Sequence, residues 1–163
     1  MKILKKLLLS IIFLGIFSLG TANEKFEVNS ADEITNLREK ASKTSKILAE
    51  LEKEESGDVI KKEGNWYYVK YKTKTGKNIY GYIHKSQIMV GEIYIASSKD
   101  GYVNVRNQED LSSQILESLP NGTKIMKYSQ KGDWCYVKFS VKDGGALSED
   151  YGYIHKSQLK KLK

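Results

Sequence analysis

Cysteine is nearly missing from this chain. Cys135 is the only one, so no intramolecular disulfide can form and stability must come from packed apolar surface. Histidine is almost as rare: His84 and His155 are the only two, each without a second His or Cys at ligand spacing, which argues against a metal centre. Clustered basic charge is lacking too. The whole-chain net charge is +7, but Lys2, Lys5 and Lys6 contribute three of those charges and the rest are scattered. Nucleic-acid binding favours a concentrated Lys/Arg stripe, so no nucleic-acid partner is expected.

Long hydrophobic runs are confined to one place. After the basic start, Leu7 to Leu19 is apolar to weakly polar, followed by the small residues Gly20 and Ala22. This is the pattern of a secretory signal peptide, residues 1–22. As a helix the run would reach about 20 Å, short of a membrane crossing, so no stable membrane insertion is expected once the signal is removed. No cysteine lies nearby to carry a lipid anchor. The expected location is secreted or periplasmic, in the cell envelope.

What the chain does contain is a duplication. YGYIHKSQ stands at residues 80–87 and again at 151–158, an offset of 71. Upstream, Asn36-Leu37-Arg38 matches Asn104-Val105-Arg106, Leu51 matches Leu119, Gly64 matches Gly132, Trp66 matches Trp134 and Val69 matches Val137, all at an offset of 68. Three extra residues therefore sit between Phe139 and Tyr151, where KTKTGKNI and SVKDGGALSED read as hairpin loops of different length.

The periodicity within each copy is that of strands. In WYYVKY (66–71) and WCYVKF (134–139), Tyr67, Val69 and Tyr71 share one face with their counterparts Cys135, Val137 and Phe139. Trp66, Tyr68 and Lys70, or Trp134, Tyr136 and Lys138, take the other. Further strands are expected at Ile47–Leu51, Asp58–Lys62 and Tyr80–His84. Residues 31–55 would pass for an amphipathic helix on charge pattern, but their counterpart contains Gly101, Pro120 and Gly122, which favours strand and loop in both. Many short strands in a unit this small suggest a barrel, which hides its sheet edges. The domains are expected at 25–88 and 93–159, joined through Met89 to Glu92, a link whose shortness suggests side-by-side packing.

The order N-[LV]-R, I-L-x-x-L, G-x-W-x-x-V and G-Y-I-H-K-S, present twice, resembles the bacterial SH3 domain. The resemblance implies an all-β chain of two tandem small SH3-like β-barrels. It departs from the family pattern after the arginine, at Glu39-Lys40-Ala41-Ser42 and Asn107-Gln108-Glu109-Asp110, and at Gln87 and Gln158, where an aromatic is usual.

Several functional readings follow. Cys135 with His155 or His84 could make the thiolate–imidazole pair of a cysteine peptidase, but a mid-strand thiol facing Val137 and Phe139 reads as core. The two copies also fill the expected exported chain, so neither a catalytic residue nor a cofactor is expected. Arg38 and Arg106 could hold an acidic partner, or could pack on the barrel and pair with a neighbouring carboxylate. The two histidines read either as solvent-facing strand ends or as parts of a groove. The aromatics are the stronger signal, because eleven tyrosines and two tryptophans exceed what two small cores can hide. The resemblance implies a ligand surface beside the Gly-x-Trp strand and the segment after the last core strand. The candidate ligand-binding residues are therefore Trp66, Tyr68, Tyr82 and His84 in the first copy and Trp134, Tyr136, Tyr153 and His155 in the second. The expected partner is cell-wall peptide or peptidoglycan, or an envelope protein; the alternative is an inhibitor or immunity-type protein that binds a secreted enzyme.

Overall fold

The computed structural model describes residues 18–19, 23–143 and 146–162. The expected export signal lies outside these residues except for Ser18–Leu19 (β1), which pairs with Lys61 and Lys62. The remaining strands are β2 (Glu24–Val28), β3 (Ile34–Arg38), β4 (Ile47–Glu52), β5 (Ser56–Glu63), β6 (Trp66–Lys72), β7 (Asn78–His84), β8 (Ile88–Ala96), β9 (Tyr102–Arg106), β10 (Ile115–Pro120), β11 (Lys124–Lys131), β12 (Trp134–Asp143), β13 (Ala146–His155) and β14 (Leu159–Lys161). Two 3-10 turns, Lys85–Gln87 and Lys156–Gln158, are the only helical elements among the described residues, so the helical reading of residues 31–55 does not apply.

Alternation along each strand separates two cores. Leu37, Leu51, Val69 and Ile83 are fully buried with Phe26 in the first, and Val105, Leu119, Val137 and Ile154, their equivalents, with Ile125 in the second. Phe26 and Ile125 fill corresponding space from opposite strands. Phe26 pairs with Gly57 and Tyr94 with Ile125, and a Cβ on Gly57 would come within 2.7 Å of the Phe26 ring. One copy thus places the bulk on its first strand and the other on the strand opposite. The register shifts recur as well, skipping Leu48 and Ile60 in the first copy and Leu116 and Tyr128 in the second. Such bulges bend a strand and increase its twist, which lets a short sheet curl into a barrel.

Two expectations change. Met89 to Glu92 is no linker but the middle of β8. The first half of that strand pairs with β2, and the second half with β11 and β14. One strand serves both copies, and hydrogen bonds run unbroken from β4 to β10. The second expectation concerns SVKDGGALSED, which is mostly ladder and not loop. Ser140 pairs with Glu149, Val141 with Ser148 and Lys142 with Leu147. The three extra residues lengthen the β12–β13 hairpin where β6–β7 closes at Lys72 and Asn78.

The seam between the copies is polar. Glu27 on β2 is 6 % exposed and accepts hydrogen bonds from Tyr128 Oη at 2.7 Å, Lys138 Nζ at 2.7 Å and Tyr151 Oη at 2.9 Å. Lys138, 9 % exposed, also meets Glu149 at 2.5 Å, a residue delivered by the lengthened hairpin. Burial by itself would raise the Glu27 carboxyl, but bonds from Lys138, Tyr128 and Tyr151 outweigh it and hold the group below the usual carboxylate range. Burial likewise opposes the charged form of Lys138, yet its two carboxylates push its pKa up. Burial and the bond to Glu27 push the Tyr151 phenol up to about 12. A buried charge is tolerable when paired and hydrogen-bonded on every side, as here.

Candidate ligand grooves

Each copy builds a groove from the same parts. Trp66 on β6 stands opposite His84 on β7 in the ladder, so the rings meet edge to face with centroids 5.1 Å apart. Trp134 and His155 repeat this at 5.6 Å. The histidine ends its strand and caps the following 3-10 turn. Nδ1 lies 2.8 Å from Ser86 Oγ and accepts from the Ser86 backbone N–H, with the same arrangement at His155 and Ser157. A neutral ring accepting at Nδ1 carries its proton on Nε2, leaving that N–H as a donor.

The far wall comes from the Asn-x-Arg strand. Arg38 and Arg106 each fold back over the following loop and donate to a backbone carbonyl seven residues on, Ser45 at 2.7 Å and Ser113 at 2.6 Å. For Arg38 this corrects the expectation of a carboxylate partner, since the guanidinium holds the loop through a carbonyl; Arg106 also sits close enough to Asp110 to help hold that carboxyl down, after the hydrogen bonds from Ser112. Glycine makes room for this approach. A Cβ on Gly81 would lie 2.6 Å from the Arg38 carbonyl, and one on Gly152 would lie 2.9 Å from that of Arg106. The groove of the first copy, about 430 Å³, is lined by Asn36, Arg38, Lys43, Trp66, His84, Ser86 and Gln87 together with Ser30, Ala31 and Asp32. That of the second, about 200 Å³, is lined by Asn104, Arg106, Leu111, Trp134, His155, Ser157 and Gln158.

The expected aromatic clusters therefore divide. Trp66 and His84, and Trp134 and His155, face these grooves. Tyr68 and Tyr82, with centroids 4.9 Å apart, and Tyr136 and Tyr153, 5.4 Å apart, form the next row along the same sheet face. In the second copy that row borders a separate hollow of about 350 Å³, with Trp134 as the ridge between the two. Both histidines end their strands half-buried and cap the turns that follow. The asparagine, arginine, serine and glutamine of each groove were absent from the aromatic set, although every one lies in a stretch repeated between copies, N-[LV]-R or HKSQ. Identity between copies beyond the core positions was the available signal.

Cys135 is 1 % exposed within the second core, and burial pushes its thiol pKa up. Its ladder partner is Ile154, so His155 projects from the opposite sheet face. Among the described residues no cluster of His, Cys, Asp and Glu is arranged to hold a metal, and no helix is long and apolar enough to cross a membrane.

The model of the bacterial SH3 domain matches residues 33–88 and 101–160, which together exceed half the chain. The chain belongs to the bacterial SH3 domain family. Domains of this family commonly bind cell-wall components and are typically extracellular or envelope-associated, which gives this bacterial SH3 pair a coarse binding role. No curated protein matches the chain. Among solved structures it is similar to NlpC2 and NlpC1 from Trichomonas vaginalis, each at 11 % identity and a TM-score of 0.38, covering 89 % of this chain. The chain spans about half their length, 50 % and 48 % respectively.

Proposed function

We propose that this is an exported, non-catalytic binding protein that holds cell-wall peptide in two grooves, one per copy. The observation that carries the reading is the recurrence of one constellation, Trp edge-on to His with Arg and Asn across the groove, in both copies. An aromatic wall with a few directed donors is suited to a short peptide segment, whose apolar atoms cover the indole while its carbonyls and carboxylates accept hydrogen bonds. Two linked sites of modest affinity gain through effective concentration on a repetitive polymer, which gives the duplication a use. The non-catalytic reading is supported by the placement of Cys135 inside a barrel, across the sheet from His155.

Co-sedimentation with purified peptidoglycan tests this. The wild type should pellet with the polymer, and the Trp66→Ala, Trp134→Ala double variant should stay in solution. Equal retention of the two would remove the groove-binding reading. Failure of the wild type to pellet, together with cross-linking to one envelope protein, would move the partner to that protein.

A further inference from the structure

The two grooves share a frame but not a charge. In the first copy the loop held by the arginine carries Lys40, Lys43 and Lys46 against Glu39. Lys43 lines the groove beside Arg38, is exposed, and has no side-chain partner among the described residues. Asp32 lines the same groove and leaves it net positive. In the second copy the equivalent positions are neutral, and Glu109 and Asp110 replace Ala41 and Ser42. Leu111, 69 % exposed, takes the place of Lys43 on the groove wall. The surroundings of the histidines differ as well. Asp133, paired with Lys156 at 2.7 Å, lies 4.0 Å from His155 Nε2, whereas the residue equivalent to Asp133 in the first copy is Asn65.

We infer that the pair has diverged in specificity: the first groove selects a ligand carrying a free carboxylate, read by Lys43 and Arg38, and the second takes an uncharged, more apolar part of the wall. This rests on the groove-binding reading above and deepens it. Lys43 supplies a point charge, and Arg38, with one N–H committed to Ser45, presents the rest of its fork. The His84 Nε2–H is a third donor. In the second groove the lysine is gone, the acid near the histidine is already paired with Lys156, and the exposed leucine offers area instead of charge. A charge-assisted hydrogen bond in a partly shielded groove gives about a tenfold preference for the carboxylate.

The molecule carries its own reporters, since each groove contains one of the two tryptophans. In the isotope-labelled chain, the two indole N–H resonances, assigned with Trp66→Phe, are followed during titration with soluble muropeptides bearing free carboxylates and with the same fragments amidated. The Trp66 signal should saturate at about tenfold lower concentration with the free acids, while the Trp134 signal shows no such preference. Exchanging the loop residues, Lys43→Leu with Leu111→Lys, should move the preference to the Trp134 signal; both positions are exposed, so the fold is not at risk. Shifts at both indoles with the same response to amidation would overturn the divergence and leave groove binding intact. Saturation of the first groove by glycerol phosphate at lower concentration than by the free acids would overturn the carboxylate assignment. Absence of any shift with either fragment would overturn both the divergence and the groove-binding reading.

Discussion

The outer face of the β6–β7 hairpin and that of β12–β13 begin alike and end differently. Each starts at the groove with Trp opposite His, continues with a tyrosine pair, and reaches a lysine opposite a tyrosine. In the first copy this far end is open: Tyr80 is 46 % exposed, and Lys70 reaches Asp58 only at 3.7 Å on the surface. In the second copy the same end is closed by a carboxylate from the other copy, with Tyr128, Tyr136 and Tyr151 stacked around Lys138 and Glu27. One strand pattern thus serves as free surface in one setting and as a domain seam in the other. The seam is centred on one residue of a distant strand, Glu27, whose equivalent in the second copy is Ile95, with Tyr128 and Glu149 completing it.

Removing that residue should have the largest effect. Glu27→Ala leaves two phenols without their acceptor and Lys138 with Glu149 alone, and about 3 kcal/mol of stability should be lost. In chemical denaturation this should appear as a lower midpoint, with β8 still joining the two copies. Lys70→Ala at the equivalent site of the open face should cost within about 0.5 kcal/mol.

The glycines beside the arginine strands come next, and here the copies should behave alike. Gly81→Ala and Gly152→Ala each force a methyl against a backbone carbonyl, at about 1–3 kcal/mol by the same denaturation measurement. A clear difference between them would show that the two groove walls are not equivalent.

Acid should weaken the seam. The folded Glu27 carboxyl is held below its ordinary value of 4.5. Its contribution is therefore complete above that value and is lost as pH falls through the folded pKa. Melting temperature should fall with acid below about pH 4.5, and Glu27→Gln should flatten the part of that slope due to this group. Asp58, held down chiefly by its hydrogen bond from Lys25, contributes in the same direction and should persist in the variant.

A smaller difference separates the cores. Thr35 Oγ1 is buried without a hydrogen-bond partner, and its equivalent is Val103. Thr35→Val should stabilise by about 1 kcal/mol, seen as a higher melting temperature, while Val103→Thr should cost a similar amount or more.

The strands, their faces and the two cores were legible because alternation reports burial directly, and because comparison of the copies removed the helical alternative at residues 31–55. Trp66, His84 and their equivalents could be placed on one surface from parity alone. The seam could not. Glu27 sits in EKFEV, an ordinary strand with outward acids, and nothing local marks that its partners lie more than a hundred residues away on β11, β12 and β13. Met89 to Glu92 has the look of a linker because strands usually belong to one domain, whereas β8 belongs to two. An arginine after a strand commonly seeks a carboxylate, but for Arg38 a carbonyl in its own loop is nearer.

Attachment of both grooves to the wall at once is tested most directly by release from intact peptidoglycan. Wild type, Trp66→Ala and Trp134→Ala, loaded on the polymer and diluted, should differ in release rate. Each single variant should leave more than about tenfold faster than wild type. Single variants that leave at the wild-type rate would contradict two-groove attachment.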